Sequence, residues 1–491
     1  MSDYLEDVGI NAYYYYYNLH YPFWMKSSEY GFANVHRGIQ YFYFYQQLLA
    51  KYYSERISYG LGEIPFINLE LPVETPYYPS LEYPQGLEFP YRPPFAKLQE
   101  VYYNYGQQWS FKGIYGYSYE LVKTLAQRLH NLIDRGYVYV HDQKINLYTP
   151  EGLNILGNII ESNPDSPDHK FYGYLWLYAR HLLGYSYQPL HYDLVIPSAL
   201  EHFETSLRDP MFYQLYKIIW TGFYMYLYQQ KPYTLHDLVY PGVEITHVEV
   251  DKLVTYDELV YSDLSNAVFL SEEELLDDSF HIRVAQEKLN HKPFNYKITV
   301  KSEHDAKSVV KIFLAPMYDE YHRYINISEN QVNMVLLDYF VYSLKSGENV
   351  IARSSQDSHL YAPDLLSYHE LYTQYASAQH SKGESPTIQN PNYYAFPHRH
   401  MLPHGSEAGT PYLLYVFIYP YVQSPQSYTG DVYSNYFYPY EGHAQFYDNY
   451  SLPYPFDKPI IHEHIWLDSI PNSYMYEAKV YHLPGNVNVV H

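Results

Sequence analysis

The chain has no cysteine among its 491 residues, little positive charge and no long apolar run. The absence of cysteine excludes disulfide bonds, zinc–thiolate sites and cysteine nucleophiles. The 31 lysines and arginines against 54 acidic residues give a formal net charge of −23, which repels phosphate backbones and argues against nucleic acid as a partner. No apolar stretch reaches the length of a membrane span. The first residues have neither the basic nor the apolar region of a signal peptide.

The sequence also lacks the common catalytic motifs. It contains no nucleophile elbow, no phosphate-binding loop and no dinucleotide fingerprint. We therefore predict that the protein is not an enzyme.

Tyrosine is the residue in excess. The 69 tyrosines, with 22 phenylalanines and 5 tryptophans, bring the aromatic fraction to 20%. A well-packed aromatic core is the simplest explanation. It does not account for the five consecutive tyrosines at 13–17, which occupy every face of any helix or strand that carries them. We expect many of the rings to lie outside the core, and we interpret the composition itself as a selected property.

Periodicity divides the chain into two parts. Before about residue 235, apolar residues repeat at helical spacing, as in the stripe from Leu121 to Ile133 that ends at Gly136. Thr149 followed by Pro150 is typical of a helix start. Residues 71–94 contain seven prolines, which exclude a helix or a central strand and predict a surface excursion.

After about residue 240 the pattern changes to short alternating or apolar stretches, at 243–253, 296–300, 311–314, 412–419 and 477–482. Glycine, proline, asparagine and serine separate them, which is typical of an antiparallel β-sandwich or barrel. The predicted fold class is therefore α+β and multidomain. We predict a helical domain over residues 1–238 and a β-rich domain over residues 239–491.

Six motifs in order resemble the frame of the arthropod hemocyanin family. EDVGINA at 6–12, followed by the tyrosine run and YPFW at 21–24, resembles the first copper-site helix. QQ at 46–47 with YSER at 53–56, YG at 172–173 with LLG at 182–184, and LRDPMFY at 207–213 match later blocks. GSEAGTP at 405–411 and YPFDKP at 454–459 complete the series. The resemblance implies a helical middle-type domain followed by an immunoglobulin-like C-terminal domain.

The histidines that hold copper in that family are missing. The family frame holds each of two coppers by three histidines, and the matching positions carry other residues. They are Tyr14, Asn18 and Tyr45 for the first copper, and Trp176, Arg180 and Tyr216 for the second. Copper needs imidazole or thiolate donors, whereas indole has no free lone pair and arginine is always charged. His20 and His181 lie beside lost positions but are rotated off the ligand face. We therefore predict no copper and no other cofactor.

The empty ligand positions and the aromatic excess together resemble insect hexamerins of the arylphorin type, and among them tyrosine-rich cockroach hexamerins known as allergens. This resemblance implies a secreted hemolymph protein that stores tyrosine, forms homo- or hetero-hexamers with related subunits and is taken up through a receptor. Hexamerin subunits have three domains, so we expect this chain to be a fragment that lacks the first. In a secreted family, the sequons at Asn326 and Asn449 are expected glycosylation sites.

Alternative interpretations remain open at this point. A type-3 copper oxygen carrier or phenoloxidase is opposed by the loss of all six ligands. A carrier of small hydrophobic ligands fits the family, but no residue specifies a pocket. The cluster of His398, His400 and His404 is explained by chance in a chain with 25 histidines. His462 and His464 lack the i, i+4 spacing of a zinc-protease helix.

Overall fold

The computed structural model describes residues 1–29, 37–98, 119–185, 196–264, 271, 273–274, 282–364, 368–379, 395–422, 451 and 453–483. The first half is helical, as predicted. Its helices are α1 (Ser2–Leu5), α2 (Val8–His20), α3 (Arg37–Ser58), α4 (Tyr119–Arg135), α5 (Pro150–Glu161), α6 (His169–Tyr172), α7 (Leu175–Leu183), α8 (Met211–Tyr228) and α9 (Leu235–Leu238), with a hairpin of β1 (Tyr137–Val140) and β2 (Gln143–Asn146). None of the described helices is long and apolar enough to cross a membrane.

Local capping residues set several helix ends where the sequence indicates them. The Asp7 carboxylate accepts a hydrogen bond from the Ile10 N–H at 3.1 Å and caps α2. Thr149 caps α5 in the same way, and Pro150 occupies the first helical position. Helix α4 ends at Arg135, and Gly136 follows with a φ of +72°, a backbone conformation that favours glycine. The predicted end of α4 and the predicted start of α5 are confirmed.

Helix α3 is the central helix of the first half, because it is buried along nearly its whole length. It crosses α5 at two glycines. A Cβ atom on Gly157 would lie 2.1 Å from the Gly38 carbonyl oxygen, and one on Gly38 would lie 1.8 Å from the Asn154 carbonyl oxygen. Only glycine permits backbones to approach this closely, so these two residues fix the α3–α5 crossing.

The second half is built from strands. They are β3 (Val243–Val250), β4 (Leu253–Asp263), β5 (Arg283–His291), β6 (Asn295–Ser302), β7 (Ala306–Pro316), β8 (Val335–Leu344), β9 (Gly347–Ser354), β10 (Tyr361–Ala362), β11 (Phe396–Pro397), β12 (Thr410–Pro420) and β13 (Ser473–Leu483). Short helices α10 (Ile327–Asn330), α11 (Tyr368–Gln379) and α12 (Glu463–Asp468) lie between them. Each stretch that the alternation predicted as β lies wholly or largely within a strand.

The strands form a six-stranded sheet in the order β5-β4-β13-β12-β7-β8 and a three-stranded sheet in the order β3-β6-β9. Most pairs are antiparallel, as predicted. The β4–β13 pair is parallel, with Thr255 opposite His482, and so is the short β10–β11 pair. Alternation of side chains has the same period in both arrangements, so the sequence pattern did not distinguish them.

The QQ pair on α3 joins the helices to the strands, and the Gln47 side chain also donates to that of Gln46 at 2.9 Å. The Gln46 side chain donates to the Val332 carbonyl at 2.8 Å. The Gln47 side chain donates to the Met334 carbonyl at 3.0 Å and accepts from the Leu336 N–H at 3.0 Å. These amides satisfy backbone groups beside β8 that would otherwise be buried without partners.

The proline-rich excursion is anchored more deeply than the sequence indicates. It folds back on itself through the isolated bridges Val73–Ala96, Tyr77–Arg92 and Glu82–Glu88. Arg92 is only 1% exposed and forms a bidentate ion pair with Asp209, at 2.7 and 3.0 Å. The base of the excursion is therefore part of the interior, and the prediction of a surface excursion holds only for its outer part.

The tyrosine run on α2 divides between interior and surface. Tyr13, Tyr14 and Tyr17 are buried, whereas Tyr15 and Tyr16 are partly exposed. The Tyr17 ring stacks on Phe44 of α3 with a centroid separation of 3.6 Å. The helix is enclosed on most sides, so more of its rings reach the core than the sequence suggested.

Candidate functional site

Four helices each contribute one side chain to a buried cluster. We call it the phenol cluster: Tyr14 from α2, Tyr45 from α3, Arg180 from α7 and Tyr216 from α8. The Tyr14 and Tyr45 hydroxyls lie 3.0 Å apart, and the Tyr216 hydroxyl donates to the Tyr45 hydroxyl at 3.2 Å. Arg180 Nη2 donates to the Tyr216 hydroxyl at 3.1 Å and also to the Tyr14 hydroxyl. These hydrogen bonds bring four of the six copper-ligand positions together in the interior.

Arg180 is 1% exposed, and its described partners are hydroxyls and rings rather than carboxylates. Arg180 Nη1 donates to the Ser206 hydroxyl at 3.3 Å. The guanidinium carbon lies 4.8 Å from the Trp176 ring centroid and 5.3 Å from that of Phe212. Burial opposes the charge, but the phenolic oxygens of Tyr14 and Tyr216 outweigh it and raise the pKa of Arg180. The cation is held by dipoles and aromatic faces.

The rings of the cluster tyrosines are also closely packed. The Tyr45 and Tyr216 rings stack with centroids 4.1 Å apart and planes 10° apart, and Tyr14 contacts Phe212 edge to face at 5.1 Å. Burial raises the pKa of both Tyr45 and Tyr216 above the ordinary value. These two phenols therefore remain protonated and neutral at physiological pH.

The other two predicted positions lie at the margin of the cluster. The Trp176 indole N–H donates to the Glu161 carbonyl at 2.7 Å, while its ring faces Arg180. The Asn18 amide turns back along α2 and donates to the Tyr14 carbonyl at 2.8 Å. Asn18 therefore belongs to the helix backbone rather than to the hydroxyl network.

Sequence reasoning missed Ser206, which supports Arg180 from outside the six positions. Its hydroxyl accepts from Arg180 and donates to the Leu200 carbonyl at 2.9 Å. It directly precedes the LRDP block at 207–210, which was the available signal. His181, beside a lost ligand position, has its Nδ1 atom 2.8 Å from the Glu201 carboxylate.

The phenol cluster does not fit copper. A type-3 centre needs neutral imidazole donors, and the cluster offers neutral hydroxyls, an indole N–H and a permanent cation. The guanidinium would repel an added metal ion at this place. The polar groups of the cluster bond to one another, and the rings pack closely around them. The cluster provides no base, nucleophile or metal ligand for catalysis.

The described histidines of the 398–404 cluster do not converge on each other. The His398 ring lies 4.8 Å from that of His291, and His400 Nε2 lies 3.2 Å from the Asp7 carboxylate. His404 stacks instead on His482, with ring centroids 3.7 Å apart. The three histidines are neighbours in the sequence, but each contacts a different part of the structure.

The two sequons differ in what the structure describes. Asn326 is exposed and directly precedes α10, and the Ser328 hydroxyl of the same sequon donates to the Glu463 carboxylate at 2.7 Å. Asn449 lies outside the described residues.

A cavity lies between α3, α8 and the segment that carries Asp457. Its lining includes Phe42, Trp220, Phe223 and Asp457, and its volume is about 40 Å³. That volume holds a few water molecules, whereas pockets for small organic ligands have about 300 Å³ or more. This cavity does not support a carrier of hormone-sized ligands.

Two family models together match most of the chain. The model described as "Hemocyanin, copper containing domain" matches residues 1–223, and the model described as "Hemocyanin, ig-like domain" matches residues 232–482. In three dimensions, the chain is similar to scorpion hemocyanin in its activated state, with a TM-score of 0.82 and 26% identity. That similarity covers 98% of this chain and 75% of the scorpion chain.

Among characterised relatives, the chain is 35% identical to arylphorin subunit beta of Manduca sexta and 35% identical to hexamerin 70b of Apis mellifera. These alignments cover 98% and 94% of this chain, respectively, but only 65% and 64% of the relatives. The chain therefore spans somewhat less than two thirds of their length. It belongs to the hemocyanin family, and its similarity over nearly all its residues is to the arylphorins and hexamerins of insects.

Proposed function

We propose that this protein is an aromatic-rich storage protein of hemolymph, which holds a reserve of tyrosine and neither binds copper nor catalyses a reaction. The phenol cluster carries the proposal. Six positions that the family frame assigns to copper ligands hold Tyr14, Asn18, Tyr45, Trp176, Arg180 and Tyr216, and a buried cation lies among them. In a domain without copper ligands, the aromatic content is the property that can still serve a function, and the chain has 69 tyrosines.

The relatives support the remaining parts of the proposal. Their names are arylphorin and hexamerin, and we propose that this protein is likewise secreted and forms hexamers with itself or with related subunits. We further propose that uptake is through a receptor, that the domains are 1–238 and 239–491, and that the sequons at Asn326 and Asn449 carry glycans. The exposure of Asn326 supports the first of these glycan sites.

Copper loading tests the loss of the metal centre. The purified protein is incubated with copper and dialysed, and its metal content and its absorption under oxygen are measured. We expect no dicopper absorption band and no change in copper content in an Arg180→Met variant. Two coppers for each chain, together with an oxygen-dependent band, would contradict the proposal.

Isotope tracing tests the reserve. Protein labelled with ¹³C-tyrosine is introduced into the hemolymph of a developing insect, and newly made protein is analysed by mass spectrometry. We expect the label to appear in new protein as the labelled chain disappears. A serum protein of ordinary tyrosine content, labelled equally per tyrosine, is the control. Persistence of the intact labelled chain through development would argue against storage.

A further inference from the structure

We propose that Asp257, His404 and His482 form a binding site for a divalent transition-metal ion, and that zinc is the ion that suits it best. Each residue offers one ligand atom, and these atoms all lie within 4.8 Å of one another. The site lies in the β-rich half, apart from the phenol cluster, and does not depend on the proposed storage function.

The parallel pairing of β4 and β13 creates this juxtaposition. His482 on β13 lies opposite Thr255 on β4, and Asp257, two residues further along β4, points to the same face of the sheet. His404 comes from the loop before β12. Its backbone N–H donates to the Glu55 carboxylate at 3.0 Å, so helix α3 holds it in place.

Hydrogen bonds fix the tautomer of His482. The Thr255 hydroxyl donates its proton to the His404 carbonyl, so it faces His482 Nδ1, 3.0 Å away, with a lone pair. Nδ1 must then carry the imidazole proton, and Nε2 has the free lone pair. Metal-binding histidines are commonly oriented in this way by an acceptor on the second nitrogen.

His404 is fixed in the same tautomer. Its Nδ1 lies 3.0 Å from the Gly405 carbonyl, which only accepts hydrogen bonds. Nδ1 therefore carries the proton, and Nε2 is again free. Burial lowers the pKa of His404, which favours the neutral ring that metals bind.

Three ligand groups thus meet: two imidazoles and the Asp257 carboxylate, with one ligand atom from each within 4.8 Å of the others. A cation satisfies all three. His482 Nε2 lies 3.4 Å from the Asp257 carboxylate, close to the separation of two ligands at a tetrahedral zinc with bonds of about 2.0–2.1 Å. The rings of His404 and His482 are stacked, so they must tilt away from each other for both lone pairs to reach one ion, and the half-exposed Asp257 has room to follow. Water completes the coordination, because zinc tolerates three protein ligands.

The competing explanation is a protonated His482 paired with Asp257, with no metal. Zinc titration of the whole chain by isothermal calorimetry separates the two. We expect one equivalent of zinc at micromolar affinity, with at least a tenfold weaker affinity in His404→Ala and in His482→Ala. His462→Ala is the matched control, because it removes an exposed histidine elsewhere, and it should bind like the wild type. Equal zinc binding by the His404→Ala, His482→Ala double variant, or none by the wild type, would overturn the proposal.

A second measurement does not depend on variants that must fold. X-ray absorption of the zinc-loaded wild type should show two imidazole ligands with oxygen ligands completing the shell. A spectrum without imidazole scattering would overturn the proposal. If the loading test above finds copper in the wild type but none in His482→Ala, that copper is bound at this site and not at the phenol cluster. The two proposals can therefore be contradicted independently of each other.

Discussion

The guanidinium of Arg180 and the hydroxyl of Tyr216 lie 3.1 Å apart in the interior of the helical half. Phenol side chains on three helices thus surround a full positive charge, with no carboxylate among its described partners. The cation contributes hydrogen bonds to the phenols and fills space between four helices. Burial of its charge carries a desolvation cost, which the phenolic oxygens outweigh.

This balance predicts how substitutions at Arg180 affect stability. Arg180→Ala removes three hydrogen bonds and leaves a cavity, so we expect a loss of about 3–4 kcal/mol in the free energy of unfolding. Arg180→Met fills most of the volume without a charge, and we expect a loss of about 1 kcal/mol. Urea denaturation measures both. Arg323→Met, at an exposed ion pair, is the control and should unfold close to the wild type. Equal losses in the two Arg180 variants would show that the hydrogen bonds and charge of the guanidinium, rather than the volume that it fills, account for its contribution.

Asp7 links the first helices to the strands. Its carboxylate caps α2 and lies 3.0 Å from Arg399 Nη1. Burial alone would raise the pKa of Asp7, but the neighbouring His400 and Arg399 outweigh it and hold that pKa well below its ordinary value. Because the folded pKa is depressed, the stabilisation is complete above about pH 4 and is lost progressively as the pH falls below it.

We therefore expect Asp7→Asn to lower the free energy of unfolding by about 3 kcal/mol at pH 7. Asparagine can still cap the helix, so the loss in unfolding free energy measures the contribution of the carboxylate charge. The difference from the wild type should shrink below pH 4. Asp364→Asn removes the more exposed partner of Arg399 and should cost less. A difference that stays constant down to pH 3 would refute the ion-pair explanation. Chemical denaturation across this pH range provides the measurement.

His291 predicts a second pH dependence, at higher pH. Burial, reinforced by the charge of His398, lowers its pKa to about 4, although the Lys292 and His398 carbonyls favour the charged ring. The folded pKa lies below the unfolded value of about 6.5, so its stabilisation is present above about pH 6.5 and is lost toward pH 4.

The loss from this residue between pH 7 and pH 4 is about 3 kcal/mol. We expect His291→Gln, which does not titrate, to lose correspondingly less stability over the same range. Urea denaturation at several pH values measures the two slopes. His462→Gln, at an exposed histidine, should keep the wild-type slope. Parallel slopes for the wild type and His291→Gln would count against a neutral, buried His291.

Assembly should depend on salt. The charge of −23 opposes the association of subunits, and salt screens it. We expect the protein to associate more strongly at moderate salt than at low salt. Light scattering at both salt concentrations tests this. Association that weakens as salt rises would indicate that attraction between opposite charges, rather than tyrosine-rich contacts, holds the subunits together.

Local signals in the sequence determined the end of α4, the start of α5, the change from helices to strands and the loss of copper ligands. Helical and strand periods, caps and a motif frame each involve residues close together in the chain, so one sequence is enough to identify them. The composition alone established the tyrosine excess and the net charge. The family frame also assigned all four residues of the phenol cluster to copper-ligand positions, which the family resemblance implies to lie close together.

Only the tertiary structure decided which distant residues meet. Asp7 and Arg399 are 392 residues apart, and no local period encodes their pairing. The parallel register of β4 and β13 places His482 beside Asp257, whereas the sequence grouped His404 with His398 and His400. Alternation determines which face a strand residue occupies but not which strand lies beside it. That choice depends on how whole elements pack, and it created the proposed metal site.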